Sequence, residues 1–300
     1  MKFKNHDHGF SITYFIKTVL RLIKSRTVVI YRPIFALLAY LAMAGTNYKI
    51  SAGILVVLTV YLAGLGTYLY NDLNDFHEDS MNNEVTSLTY DVTLYRTILV
   101  ISIFCLCSAL LLGIYLSIYN LFIGLFSLLL AVTYSHPRVH LKSYFLIKTL
   151  ATAVASVLAA LVGVATANNF TFQSWPFLAL AFLISWAISP LNDVRDVKGD
   201  KLSGRKTIPI VLGVNWTFFI TSSAVILSLL IAIVGVYSVT HSLNYSSIIF
   251  AFLAGSYSLY LQWRLFNNQT NKPAVKKYLS YLQISMISLQ VAALIAYMWR

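Results

Sequence analysis

Apolar stretches long enough to cross a bilayer recur along this chain. They fall near residues 29–46, 50–70, 94–115, 117–134, 145–167, 175–191, 214–237, 246–263 and 278–299. About 20 apolar residues span a hydrocarbon core. In lipid, each such segment must satisfy its backbone polar groups internally, which makes it a helix. The stretches predict nine transmembrane helices, with eight or ten open because the eighth stretch is short. Charged residues make up only 11% of the chain, against about 25% in soluble domains. The expected fold class is an all-α integral membrane protein, one polytopic domain over residues 1–300.

The distribution of charge orients the bundle. Lysine and arginine cluster before the first stretch and after the second, fourth, sixth and eighth, and only Lys49 and Arg300 of the 22 fall on the other side. The positive-inside rule makes the N-terminus and those loops cytoplasmic. The net charge of +12 therefore reports membrane orientation and does not argue for nucleic acid as a partner. Residues 1–28 form an expected cytoplasmic or interfacial segment. Within it, "SITYFIKTVLRLIKSR" sets Lys17, Arg21 and Lys24 on one helical face, as in a helix lying on an anionic leaflet. No cleavable signal peptide is expected, because this segment is polar and basic. Cys105 and Cys107 lie inside an apolar run and read as packed or lipid-facing thiols.

The ten acidic residues are more selective. Nine of them occupy two regions, at the ends of the second and sixth stretches. There the sequence repeats: "NDLNDFHED" at 71–79 and "NDVRDVKGD" at 192–200 are both Asn-Asp-x-x-Asp-x-x-x-Asp. Spacing of i, i+3 and i+7 stacks the three aspartates of each copy on one helical face. Four helices separate the copies, so an internal repeat of a four-helix unit is expected, with the acidic faces opposed across a central cavity. Facing carboxylates hold their charge only beside cations. An oxygen-only ligand set suits a hard cation, and magnesium completes its shell with water and phosphate. Asp72, Asp75, Asp79, Asp193, Asp196 and Asp200 are thus candidate Mg2+ ligands in a diphosphate site at the membrane surface. Helix capping by Asn and Asp would account for one such motif, but not for two copies at equivalent positions.

Basic residues accompany the second motif in "VKGDKLSGRKTIPIVLG", where Lys198, Lys201, Arg205 and Lys206 are placed to meet phosphate oxygens. A third polar segment, "YSHPRVHLK" at 134–142, follows the fourth stretch. Tyr134 stands at its membrane end, either facing the cavity, where its ring or hydroxyl would stabilise a cation, or serving as an interfacial belt tyrosine.

At these residues the chain resembles the UbiA-type intramembrane prenyltransferase superfamily. "NDLNDFHED" is similar to the family's first Asp-rich motif, and "DVRDVKGDKLSGRKTIP" to its second. "YSHPRVHLK" resembles its Tyr-Ser-x-Pro segment ending in Leu-Lys, and Arg32-Pro33 its first helix. The resemblance implies Mg2+-dependent prenyl transfer inside a lipid-open helical barrel. An isoprenyl diphosphate would bind between the motifs and ionise to an allylic carbocation. A lipophilic acceptor, often an aromatic ring, would then attack it. Asp72, Asp75, Asp193, Asp196 and Tyr134 are the implied catalytic residues. Asn71, Asn192, Arg138, Lys142, Lys198 and Lys201 are the implied substrate contacts. Membrane lipid is a further partner, and a cell membrane the expected location. The chain departs from the family just after the first motif, where "SMNNEVTSLTYDVTLYRT" replaces an Arg-rich, Pro-containing stretch. Two alternatives stay open: a terpene cyclase on the same scaffold, with no acceptor, and an ion-coupled transporter. The second fits less well, because transporters place such carboxylates near the bilayer midplane.

Overall fold

The computed structural model describes residues 28–75 and 92–299. The expected interfacial helix, Asp79 and most of the altered stretch after the first motif lie outside the described residues. Among the described residues the chain is helical, with no strand. The long helices are α1 (Val28–Ala44), α2 (Ile50–Asn74), α3 (Val92–Leu116), α4 (Ile118–Ser135), α5 (Ile147–Thr166) and α6 (Trp175–Leu202). After a short α7 (Ile208–Val211) come α8 (Val214–Leu230) and, through one π-helical turn, α9 (Val236–Thr240). α10 (Tyr245–Asn267) and α11 (Lys272–Met298) complete the chain.

Helix starts follow the local chemistry. Ser117 accepts a hydrogen bond from the Tyr119 N–H, Asn244 from that of Ser247, and Asn271 from that of Ala274. Each thus caps a helix whose first N–H groups lack an internal partner. Among the described residues, seven helices are long and apolar enough to cross a membrane. They are α2 to α6, the continuous run Val214–Thr240, and α11. The other two long helices coincide with expected spans but stand apart. Val28–Ala44 has 17 residues, and α10 is lowered in hydropathy by its serines, tyrosines and polar end.

Each long helix packs on its neighbour in the chain, and α11 returns onto α1 and α6, closing the bundle. The largest core joins Phe35 and Leu38 of α1 to Phe177, Leu180, Ile184 and Ile188 of α6 and to Leu282, Met286 and Leu289 of α11. A second core ties α1 to α2 and α5 through Ala36, Tyr40, Val56, Val60 and Ala159. Gly163 sets how closely α1 and α5 approach: a Cβ there would lie 2.0 Å from the Ala36 carbonyl oxygen and 2.8 Å from the Tyr40 nitrogen. Outward faces are strongly apolar, as on α3 and α4, where Phe104, Leu111, Phe122 and Leu129 are all exposed. These are lipid-facing surfaces.

Candidate active site

Both acidic motifs begin on helices that outlast their apolar stretches. α6 continues through Asp193, Asp196 and Asp200 to Leu202, so the second motif is helical throughout. α2 ends at Asn74, and Asp75 stands just beyond it as the C-cap. Asp72, Asp75, Asp193 and Asp200 are all buried. Unpaired carboxylates do not survive burial, and here buried cations meet them.

Three cations interleave with the aspartates. Lys148, in the first turn of α5, places its Nζ 2.6 Å from Asp193 Oδ1 and 3.8 Å from Asp200 Oδ2. Lys142, in the short turn Leu141–Ser143, forms an ion pair with Asp75. Arg205 joins the two motifs: Nη1 lies 3.0 Å from Asp200 Oδ1 and Nη2 lies 3.6 Å from Asp75 Oδ2. The end of α2 and the end of α6 therefore face one another across a single guanidinium. Burial pulls Lys142 down to about 7, with the Lys148 ammonium acting in the same direction and Asp72 and Asp200 opposing it. Burial likewise pulls Arg205 down to about 10.

Backbone geometry fixes Arg205 in this place. α6 closes with the Gly204 N–H bonded to the Lys201 carbonyl and the Arg205 N–H to the Asp200 carbonyl. This is a Schellman ending, which needs a left-handed residue after the cap. Gly204 supplies it, at φ +75°. One residue on, the Lys206 N–H bonds to the Ser143 carbonyl, tying this loop to the turn that carries Lys142.

The expected site residues separate into two groups. Asn71 donates to Asp75 Oδ2 at 2.8 Å and accepts from the Ser135 hydroxyl at 2.7 Å, so it orients a carboxylate. Tyr134 lies within electrostatic reach of Lys148, Asp193, Tyr68 and Arg32, which places it beside the cluster. Asp196 diverges from its motif partners: it is partly exposed and makes a bidentate pair with Arg195, at 2.8 and 2.7 Å. Asn192 donates to its own helix at Ile188. Arg138, Lys198 and Lys201 are exposed, away from the buried carboxylates. Motif spacing does not single out Lys148 or Arg32, and it marks Arg205 only as one of several loop cations. Lys148 does carry a signal: it sits inside an apolar stretch, where a charge is costly and usually functional.

Deeper in the bundle, Arg32 of α1 donates toward the Ser156 hydroxyl at 3.4 Å and the Thr152 carbonyl at 3.5 Å. Tyr31, Tyr68 and Tyr134, neutral phenols, lie within its electrostatic reach. Among the described residues no carboxylate pairs with it.

Among the described residues no three acidic, imidazole or thiol groups converge tightly enough to hold a metal, because Lys142, Lys148 and Arg205 lie between the carboxylates. The donor chemistry nevertheless fits a hard cation. Among the described residues Asp193 Oδ2 and Asp200 Oδ2 are buried carboxylate oxygens that meet no hydrogen-bond donor, and such oxygens are what a Mg2+ shell takes.

A family model described as the UbiA prenyltransferase family matches residues 33–287. A digeranylgeranylglyceryl phosphate synthase from Sulfurisphaera tokodaii is 28% identical over 183 residues, which are 59% of this chain and 63% of that protein. A second, from Thermococcus gammatolerans, is 29% identical over 53% of this chain and 56% of its own length. The chain thus spans about three-fifths of the curated relatives it matches. A solved structure of a digeranylgeranylglyceryl phosphate synthase superposes with a TM-score of 0.68 at 20% identity, covering 96% of this chain and all of that one. A UbiA homolog from Archaeoglobus fulgidus bound to DMAPP and Mg2+ superposes with a TM-score of 0.65 at 15% identity, covering 93% and 99%. At these identities the structural likeness speaks for the fold.

Proposed function

The chain belongs to the UbiA prenyltransferase family, and from that premise we propose that it moves a prenyl group from an isoprenyl diphosphate to a lipid acceptor. The observation that carries this reading is the meeting of Asp75 with Asp193 and Asp200 through Arg205, Lys142 and Lys148. Acidic and basic groups alternate there as a metal–diphosphate head group requires. Asp72, Asp75, Asp193 and Asp200 would hold Mg2+, with Asp196 contributing from the rim and Asp79 a further candidate by its place in the motif. Bound there, Mg2+ supplies the charge withdrawal that makes diphosphate a leaving group.

The chain's own residues do the rest. Lys142, Lys148 and Arg205 are charged donors that pass from carboxylate to phosphate oxygens as the diphosphate enters. Asn71 keeps Asp75 aimed at the head group. As the C–O bond to diphosphate breaks, Tyr134 offers its ring to the allylic cation. The surrounding apolar helices keep water from quenching it. The acceptor then closes a new bond to that carbon and loses its proton. We place these residues at the cytoplasmic end of nine spans around a lipid-open cavity in a cell membrane, by the positive-inside rule.

Of the lipophilic acceptors open from the sequence, a prenylated glyceryl phosphate has the most support. Relatives carry that product in their names, and Arg32 is an interior cation available to an anionic group. The test is incubation of the purified protein with Mg2+ and prenyl diphosphates of graded length, with geranylgeranylglyceryl phosphate, with an aromatic acceptor, or with neither. The expected result is a dialkylated glyceryl phosphate and free diphosphate. Asp193→Asn and Asp75→Asn should each slow diphosphate release by at least ~100-fold, the usual loss for one transition-state contact. A cyclised hydrocarbon formed without acceptor would mean a cyclase. Absence of diphosphate release in every arm would remove both readings.

A further inference from the structure

Residues 201–300 contain no aspartate or glutamate. The cations of α10 and α11 therefore have no acidic partner in their own part of the chain. Three of them, Arg264, Lys276 and Lys277, gather where α10 ends and α11 begins. Alternation of helix direction puts this at the same end of the bundle as the carboxylate cluster, but on its outer surface.

Below them the two antiparallel helices part into a groove with a cavity volume of about 460 Å³. Its walls are Phe250, Leu253 and Tyr257 of α10 and Tyr281, Ile284 and Ser288 of α11. Its floor is shallow because small residues meet there: Ser285 donates to the Ala254 carbonyl at 2.9 Å, and Ser258 to Ser285 at 2.9 Å. Leu253 and Ile284 remain 63% and 64% exposed, so no other part of the described chain covers this groove.

The mouth is prearranged. Arg264 donates Nη1 to the Tyr260 hydroxyl at 2.9 Å and Nη2 to the Tyr278 hydroxyl at 2.7 Å, with its guanidinium 5.2 Å from the Tyr278 ring centre. Two of five guanidinium N–H groups are thereby used and the fork is fixed in direction. Lys277 holds its ammonium 5.9 Å from the Tyr281 ring, one helical turn above the groove wall. From Arg264 to Leu253 the helix rises about 16 Å, close to the ~15 Å of one leaflet's hydrocarbon.

A cationic mouth over an apolar furrow one leaflet deep matches an amphiphile with an anionic head and an extended chain. We infer that the α10–α11 groove binds one acidic glycerophospholipid, its phosphate on Arg264 and Lys277 and one acyl chain along Tyr257, Leu253 and Ile284. This site is separate from the carboxylate cluster and does not depend on the proposed reaction.

Native mass spectrometry of the protein released from nanodiscs of mixed phosphatidylglycerol and phosphatidylcholine tests it. The expected result is one retained phosphatidylglycerol per chain, favoured over phosphatidylcholine by roughly tenfold or more, the scale two juxtamembrane cations provide. The double variant Arg264→Gln/Lys277→Gln should lose that preference. Ser288→Phe, which fills the groove and leaves every charge in place, should lose the retained lipid as well. Lys49→Gln, at the other end of the bundle, should retain it. Unfolding midpoints in pure phosphatidylcholine nanodiscs report whether each variant is folded, and the Arg264→Gln single change stands in for any that is not. Equal retention of the two lipids by the parent, unchanged retention in folded charge and groove variants, or a dimer that Ser288→Phe dissolves would overturn the assignment.

Discussion

Lys148 shows how much of the site depends on single charges. Its ammonium is the nearest cation to Asp193 and also reaches Asp200. Removing one partner of a buried ion pair leaves the other charge uncompensated, at a typical cost of about 3–5 kcal/mol. Lys148→Met should therefore lower the unfolding midpoint of the detergent-solubilised protein when Mg2+ is absent. It also takes the lysine away from Asp193 Oδ1 and Asp200 Oδ2, so that these oxygens can meet a divalent ion. Added Mg2+ should raise the midpoint more in the variant than in the parent, since a ligand stabilises in proportion to its occupancy of the native state. Lys148→Arg should behave as the parent. Thermal unfolding followed by tryptophan fluorescence, with and without Mg2+, measures all three. An equal Mg2+ response in variant and parent would show that Lys148 does not compete for the metal's position. At this scale Asp193 and Asp200 are readable in the sequence, because i, i+7 spacing on α6 gathers them on one helical face, and Asp75 is readable from the repeat although α2 stops one residue before it. The cations are less so: Arg205 reads as one of several loop cations near the second motif, Arg32 enters only through the family resemblance, and Lys148 is marked only by lying inside an apolar stretch. Only folding separates half-buried Lys148 from exposed Lys198 and Lys201. Asp196 shows the reverse limit: motif spacing includes it, yet neighbouring Arg195 draws its carboxylate aside.

Helix packing decides whether the two motifs can meet at all. α1 runs through the interior and touches α2, α5, α6 and α11, so its distance from α5 bears on both halves of the site: α2 carries the first motif, and α5 carries Lys148. Gly163 makes the close approach possible, because any side chain there would strike the α1 backbone at Ala36. Gly163→Ala should destabilise by about 1–3 kcal/mol, the usual range for overpacking. It should also slow catalysis by displacing Lys148 and Arg32. Gly113→Ala is the matched control. A Cβ there meets Asn120 at 3.5 Å, an ordinary contact, and alanine is the better helix former by about 1 kcal/mol. Equal midpoints for the two variants would remove the claim that Gly163 sets the helix separation. The extent of each helix is legible where polarity changes abruptly. It is less so at α6, whose apolar stretch ends near 191 while the helix runs to Leu202. Hydropathy marks where lipid ends, whereas the helix is stopped at Leu202 by the left-handed turn at Gly204. The Schellman closure that seats Arg205 is therefore written in one glycine that an apolar count passes over.

Across the whole molecule, charge is sorted by end. The buried carboxylates, the exposed Arg138, Lys198 and Lys201, and the α10–α11 cations share one end, while Lys49 caps the start of α2 at the other. A bilayer enforces such sorting, which is why the more heavily charged end of the bundle is predictable before any helix is placed. The span count is less so. α10 loses hydropathy to tyrosines and serines, although Ser258 bonds within its own helix at Ala254 and the tyrosine rings face outward beside Trp263. If the site is cytoplasmic and α10 is a true span, its first residue must emerge on the opposite side. Tyr245 opens α10 and is 75% exposed, which makes it a suitable probe. In a background with Cys105→Ala and Cys107→Ser, Tyr245→Cys should react with a membrane-impermeant maleimide on intact cells. Lys198→Cys and Lys276→Cys should react only after the membrane is opened. Should Tyr245→Cys share the protection of Lys198→Cys, α10 does not cross and the nine-span bundle fails. Should all three patterns invert, the bundle stands but the diphosphate site faces outward, away from any cytoplasmic supply of prenyl diphosphate.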